Sequence, residues 1–370
     1  MRRFLIRLGA LAQKETLHML RDPQVVYLAL GLPLVLVLLF GYAVSFDVED
    51  VHIAVVDRDR TAASRAFIQR LDVSDAFDVV MQLDTEAEIE PLLRRDAMKA
   101  ALIVPRGFAA ASMRGDATKL QLVMDGADGT TARIALAYAA AAGQAEMQRL
   151  VGEIDPPIEA RVRTWFNPRM ESAWFVVPGL VAVILAVLAV LLSALTVARE
   201  WERGSMEQLF ATPVDRMSVV LGKMLPYVAL GIVQFVLVLA LGTLLFGVPL
   251  RGNFLILLIA VVLFLVCVLG QGLFISMVTK SQQVATQIGA VSAILPSLLL
   301  SGFLFPIENM PAPLQVIARI VPARYLIAIM RGVLLQDRGF VQLWPALLSL
   351  VAIGVVIIGV TTMKFERRLD

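Results

Sequence analysis

The residues of this 370-residue chain best suited to chemistry are two histidines, one cysteine and the pair Gly222-Lys223. A phosphate-cradling loop needs a glycine-rich turn and then Gly-Lys-Ser/Thr opening a helix. Here Met224 follows Gly222-Lys223, so the loop chemistry is missing. Neither His18 nor His52 stands in a Ser/His/Asp pattern, and no His, Cys, Asp and Glu have metal-ligand spacing. The single Cys267 has no second cysteine for an intrachain disulfide. Asp57, Asp59, Asp125 and Asp128 fall at turns and caps, where aspartate does ordinary structural work. The chain reads as non-catalytic and binds no cofactor of its own. If its work is driven by ATP, the motor is another polypeptide.

Two segments carry positional chemistry instead. In the first, Arg199-Glu200-Trp201-Glu202-Arg203-Gly204-Ser205-Met206-Glu207-Gln208-Leu209-Phe210-Ala211-Thr212-Pro213, Ser205 and Gln208 have capping-box spacing. Gly204 permits a sharp turn, and Pro213 ends the helix that Ser205 begins. The expected product is a short rigid helix over about 204–213, able to transmit force from a docked protein. The second segment runs from Ser301-Gly302 to Arg331-Gly332 and on to 338. Pro306, Pro311, Pro313 and Pro322 cut it into short helices, too apolar for a free loop and too short to span a membrane.

The elements holding these segments are apolar. Pro23–Phe46, Ser172–Ala198, Met224–Leu250, Gly252–Thr279, Ser281–Ile307 and Gly339–Met363 contain no Asp, Glu, Lys or Arg, and each is 24–28 residues long. About 20 helical residues cross a bilayer core of roughly 30 Å. The chain is 58% hydrophobic and 17% charged, well below the charge of a soluble domain, with mean hydropathy +0.78. The expected fold is an α-helical integral membrane protein with six transmembrane helices. The first is 23–46 and the other five lie within 172–370. Placing the N-terminus in the cytoplasm puts thirteen basic residues on the inner short segments and five on the outer ones. By the positive-inside rule both termini are cytoplasmic. The Gly204–Pro213 helix then lies inside, and the 302–338 segment lies outside as a re-entrant or interfacial cap.

Residues 1–22 place Arg3, Arg7, Lys14, His18 and Arg21 on one stripe and Leu5, Leu8, Ala12 and Met19 on another face. This predicts an interfacial amphipathic helix on the inner leaflet. Residues 47–171 hold 21 acidic and 15 basic residues and form an inserted extracytoplasmic α/β domain. Strands are expected at Ile53–Val56, Phe77–Leu83, Ala101–Val104 and Leu120–Met124. Helices are expected at Thr61–Leu71, Thr85–Arg95, Phe108–Arg114 and Thr130–Val151. Thr85 and Glu88 have capping-box spacing. Within the spans, Gln234 and Gln271 are costly in lipid, and with Ser297 they are candidate path residues. Helix–helix hydrogen bonding is the competing role. Ala182, Ala186, Ala189 and Ser193 permit close packing in the second span.

Both positional segments resemble those of the ABC-2 type permeases, the membrane subunits of one large class of ATP-driven exporters. The likeness covers the whole chain, and Ser205 stands where threonine is frequent in that family. The resemblance implies a pore of two permease chains, the same or paralogous, above two cytoplasmic ATPase subunits that bind ATP and Mg. It assigns Arg199, Glu200, Gly204, Ser205, Glu207, Gln208 and Pro213 to ATPase coupling. It assigns Ser301, Gly302, Phe305, Pro306, Pro311, Pro322, Tyr325, Arg331 and Gly332 to an external gate. The insert resembles that of a subgroup working with a periplasmic adaptor, in the cytoplasmic membrane of Gram-negative bacteria. No nucleic-acid partner is implied. A largely apolar path suits amphiphilic cargo. Two alternatives stand beside this reading: a force transmitter that drives the insert without passing cargo, and a motor-independent transporter or channel.

Overall fold

The computed structural model describes residues 2–43, 51–72, 77–95, 97–114, 120–124, 171–206 and 214–365. Two compact units emerge, Met1–Ser45 with Thr164–Asp370, and Phe46–Arg163. The chain begins with α1 (Arg2–Arg21). A helical run follows, built of α2 (Pro23–Val26), a π-helical turn (Tyr27–Gly31) and α3 (Leu32–Ala43).

In the second unit come β1 (Val51–Asp57), α4 (Ala62–Asp72), β2 (Phe77–Gln82), α5 (Ile89–Arg94), β3 (Ala100–Val104), α6 (Phe108–Arg114) and β4 (Gln121–Met124). The sheet order is β2-β1-β3-β4. Strand β1 runs parallel to both β2 and β3, and β4 is antiparallel to β3. Alternation along β1 and β3 feeds two cores. Ile53, Val55, Leu102 and Val104 face Phe67, Ile68 and Phe108 from α4 and α6. Ala54, Val56, Ala101 and Ile103 face Ile89 and Met98 on the other side. All five residues of β3 are buried, as expected of a strand covered on both faces. The expected strands and helices within 51–124 are present, and the Thr85–Glu88 capping box forms. The expected helix Thr130–Val151 lies outside the described residues.

Asp59, in the loop after β1, ties this unit together. Its carboxylate accepts from the Gly107 amide at 2.7 Å, the Ala109 amide at 3.0 Å and the Thr61 hydroxyl at 2.8 Å. The Ala109 amide foremost, then the Thr61 hydroxyl, holds the Asp59 carboxyl below its ordinary range. A depressed folded-state pKa gives stability that is complete above the unfolded value of about 4 and is lost as pH falls through the folded value. The Gly107 and Ala109 amides are therefore expected to lose hydrogen-exchange protection on acidification. In Asp59→Asn they should exchange faster at neutral pH, with little further change in acid.

The first unit continues with α7 (Ser172–Glu202), α8 (Arg216–Leu245), α9 (Phe254–Thr279), α10 (Gln282–Leu299), α11 (Ala312–Ala318), α12 (Pro322–Gln336) and α13 (Phe340–Lys364). Among the described residues, α7, α8, α9 and α13 are long and apolar enough to cross a membrane. The six uncharged windows therefore do not all become uninterrupted helices of spanning length. The first is interrupted by the π turn. The fifth, expected over 281–307, stops as a helix at Leu299, about 27 Å long by its 18 residues. Boundaries shift for a physical reason as well. Helix α8 starts at Arg216, not Met224, because Asp215 caps it by accepting from the Ser218 amide at 3.1 Å. Lys223 thus lies inside the helix.

Helix α7 is the axis of this unit. Its apolar window is 83% buried, and it packs against α8, α9, α10 and α12. Its small residues allow close approach. A Cβ on Gly272 of α9 would lie 2.1 Å from Ser193 Oγ and 2.4 Å from the Val190 carbonyl oxygen. Helix α13 instead leaves Val341, Trp344, Leu348, Val355 and Val356 exposed, a surface suited to hydrocarbon.

Candidate functional site

The site begins where α7 ends. Arg203 is its C-cap, and Gly204 follows with φ +69°, the left-handed conformation. The Ser205 amide donates to the Glu200 carbonyl at 3.1 Å, and the Gly204 amide donates to the Trp201 carbonyl at 3.1 Å. This is a Schellman stop, and it ends α7 in a sharp, hydrogen-bonded turn. The Ser205–Gln208 capping box is half visible: Ser205 is here, whereas Glu207, Gln208 and Pro213 lie outside the described residues. A β-branched side chain is strained at a left-handed φ. Gly204→Val is expected to cost about 1–2 kcal/mol. It should lower the thermal midpoint slightly and impair any activity that depends on this turn more than it impairs folding.

One turn back, Glu200 meets two lysines. Lys14 of α1 donates to Glu200 Oε1 at 3.1 Å. Lys223 of α8 donates to Glu15 Oε1 of α1 at 2.9 Å. The Lys223 ammonium also lies 2.8 Å from Glu200 Oε2, an ion contact off the hydrogen-bond direction. Lys223 is 2% exposed and Glu15 5%. An ammonium so enclosed needs both carboxylates, because an unpaired buried charge costs several kcal/mol. Beside it, Arg199 donates to Asp22 Oδ2 at 3.2 Å, and its Nη1 lies 3.3 Å from His18 Nε2. Arg199 Nε also faces Gln282 Oε1 at 3.4 Å, and Glu202 accepts from the Gln282 amide at 2.7 Å. The end of α7 is thereby clamped to α1, to α8 and to the start of α10.

Helix α1 also packs on the bundle. Lys14 and His18 of the cationic stripe face α7, and Met19 is buried. A Cβ on Gly222 of α8 would lie 2.8 Å from Leu11 Cβ, so α1 packs closely on α8. Leu5, Ile6, Leu17 and Leu20 remain exposed, the face suited to a membrane interface.

The other predicted set gathers towards the opposite end of α7, roughly 36 Å away along the helix by its rise. Arg331 of α12 donates to the Gly302 carbonyl at 3.0 Å, and its guanidinium lies 3.8 Å from the Phe175 ring centroid. Gly302 has φ +80°. Ser301 donates to the Ser297 carbonyl and accepts from the Phe303 amide at 3.2 Å. Phe303 is seated on Gly179, where a Cβ would come within 2.1 Å of its ring. Phe305, Pro306 and Pro311 line an apolar groove of about 460 Å³ with Leu295, Leu299 and Leu314. Pro322 opens α12, the Tyr325 hydroxyl donates to the Arg319 carbonyl at 2.7 Å, and the Gly332 carbonyl accepts from the Arg338 amide.

Gln234, Gln271 and Ser297 are each held by a different partner. Gln234 donates at 2.7 Å to the Ala29 carbonyl, inside the π turn. Gln271 donates to Ser292 Oγ at 3.1 Å, and the Ser297 carbonyl accepts from Ser301. The sequence reading missed Lys223 and Glu15. It counted Lys223 as a loop cation and passed over Glu15, an acid within the cationic stripe.

The family model for the ABC-2 family transporter protein matches residues 25–362. The chain is 35% identical over 369 residues to the "Probable multidrug ABC transporter permease YbhS" of Escherichia coli (strain K12), covering 98% of each. It is 32% identical over 367 residues to the "Probable multidrug ABC transporter permease YbhR" of the same strain, covering 98% of this chain and 99% of that one. It is 24% identical to "ABC transporter G family member 20" of Dictyostelium discoideum, over 97% of this chain and 50% of the relative. Apolar helices of spanning length and likeness along nearly its whole length make this multi-pass membrane protein a member of the ABC-2 transporter family.

Proposed function

We propose that the chain is the permease subunit of an exporter that moves an amphiphilic substrate outward across the bacterial cytoplasmic membrane, powered by a separate ATPase carrying ATP and Mg. The observation that carries this reading is the clamp at the end of α7. Residues 203–206 turn through a fixed stop, with Met206 returned to the helical core, beside a buried ion network joining α1, α7 and α8. A push on the following segment is therefore delivered to three helices at once. The full reading has six membrane crossings, both termini in the cytoplasm, and residues 47–171 outside, available to an adaptor. A second permease chain, identical or paralogous, completes the pore. The amphiphilic cargo class is supported by the multidrug names of the two bacterial relatives.

The test is transport by inverted membrane vesicles holding the chain with its ATPase. ATP is expected to drive accumulation of a fluorescent amphiphile, and the same vesicles with a hydrolysis-dead ATPase should accumulate none. Strong ATPase stimulation without any cargo movement would favour force transmission over export.

A further inference from the structure

Among the described residues, four buried side-chain atoms lack a hydrogen-bond partner. One, Glu200 Oε2, has the Lys223 ammonium 2.8 Å away. The other three are N–H groups: Arg331 Nε, Arg324 Nη1 and Trp174 Nε1. All three lie away from the ion clamp, on α12 and at the start of α7. Arg324 and Arg331 share one face of α12, about 10 Å apart along its axis. Buried donors without acceptors are costly, so this end of the bundle is short of acceptors. Charge points the same way. Arg331 is held by the Gly302 carbonyl at 3.0 Å, the Phe303 carbonyl at 3.4 Å, the Phe175 carbonyl at 3.5 Å and the Phe175 ring at 3.8 Å. Every one of these partners is neutral. The acids of the adjoining segments, Glu171, Glu308 and Asp337, are not among them. Burial lowers the Arg331 guanidinium to about 10, still charged at neutral pH. The loop that Arg331 holds continues into the apolar groove of about 460 Å³. Phe303 gives its carbonyl to the guanidinium, and Phe305 and Pro306 line the groove with Leu295 and Leu299. Phe303 and Phe305 are at most about 7 Å apart along the chain. Unmet donors and a desolvated cation beside an apolar groove fit an acceptor-rich anionic head with a hydrocarbon tail.

We propose that the outgoing cargo is held here by a phosphate or carboxylate head on Arg331, with its tail in the groove between Leu295, Leu299 and Phe305. This rests on the exporter reading and narrows its cargo to anionic amphiphiles. Arginine is suited to the head by the planar fork it presents to carboxylate and phosphate oxygens. The carbonyls that Arg331 leaves are neutral, so the exchange strands no counter-charge. It also frees the Gly302–Phe303 loop from α12, which loosens the cap as cargo arrives.

The experiment titrates the full chain, in dodecyl maltoside, with radiolabelled dodecyl phosphate. Saturable binding is expected, displaced by dodecanoate and not by dodecyltrimethylammonium. Inorganic phosphate, which has no tail, should displace it far less effectively. Arg331→Gln should weaken binding roughly tenfold or more, the scale of a lost charged hydrogen bond. Trp174→Phe removes one N–H while keeping an aromatic ring, and should weaken binding severalfold. Leu299→Trp fills the groove while leaving every donor, and should weaken it too. If Arg331→Gln does not fold, the other two variants carry the test. Equal binding of the cationic amphiphile, or undiminished binding in Arg331→Gln or in Leu299→Trp, would overturn the proposal. Tighter binding of phosphatidylglycerol than of dodecyl phosphate would assign the site to a resident lipid and overturn it as a cargo site. Binding needs no ATPase, so its failure is separable from failure of ATP-driven accumulation in vesicles.

Discussion

Lys223→Met is expected to destabilise the protein by about 3–5 kcal/mol, because it strands Glu15 and leaves Glu200 with Lys14 alone at a junction built to hold their charge. Lys223 is 2% exposed and meets Glu15 Oε1 at 2.9 Å and Glu200 Oε2 at 2.8 Å. Lys14 reaches only Glu200 among these carboxylates, so Glu15 loses its ammonium partner outright. The decisive comparison is with the triple variant Glu15→Gln, Lys223→Met, Glu200→Gln. Removing all three charges removes the cost of burying them, and replacing a whole buried ion network is often neutral or better. The triple variant is expected to recover most of the thermal midpoint lost by the single one, measured in the same detergent and lipid. It should still couple poorly to an ATPase, because the directional contacts between α1, α7 and α8 are gone. A single variant as stable as wild type would show that the network does not hold the junction.

Gly272→Val is the second large effect. Even a methyl at this position would lie 2.1 Å from Ser193 Oγ and 2.4 Å from the Val190 carbonyl oxygen. Real contacts at that range do not exist, so α7 and α9 must part. Overpacking typically costs about 1–3 kcal/mol, and a backbone obstacle puts this site at or beyond the upper end. Ser193→Ala should not rescue it, since the Val190 carbonyl stays in place. Gly359→Ala, where a Cβ meets nothing within 4 Å, should be nearly silent. Yield of monodisperse protein and the thermal midpoint of both variants check the contrast. If Gly272→Val behaves like Gly359→Ala, the tight α7–α9 seam is wrong.

The sequence conveyed much of this fold because its local signals agree with its packing. Alternation in Ile53–Val56 and Ala101–Val104 marks strands, and the β1–β3 pairing makes use of that alternation on both faces. Uncharged runs located the apolar helices well, but charge is a poor ruler for their ends. Lys223 carries its charge inside α8 because partners from α1 and α7 neutralise it. Nothing in a linear window reveals a partner 208 residues away. The π turn at Tyr27–Gly31 had a signal that the uncharged-window reading passed over. Pro33 has no N–H to give the Ala29 carbonyl four residues back, and Gln234 donates to that carbonyl instead. At the candidate site, Gly204 was readable from its turn, whereas Glu200 was marked by the family resemblance. The clamp was not, because it is assembled from three helices far apart in the chain.

The most direct measurement is the ATPase rate of the co-purified complex with wild type and with Glu207→Arg, a charge reversal in the segment that follows the Gly204 stop. If this segment takes the motor's stroke, wild type should bind and stimulate the ATPase. Glu207→Arg should lose binding or stimulation while its thermal midpoint stays at the wild-type value. A chain that neither binds nor stimulates an ATPase, or a Glu207→Arg variant that couples as well as wild type, would contradict motor coupling at this end of the bundle.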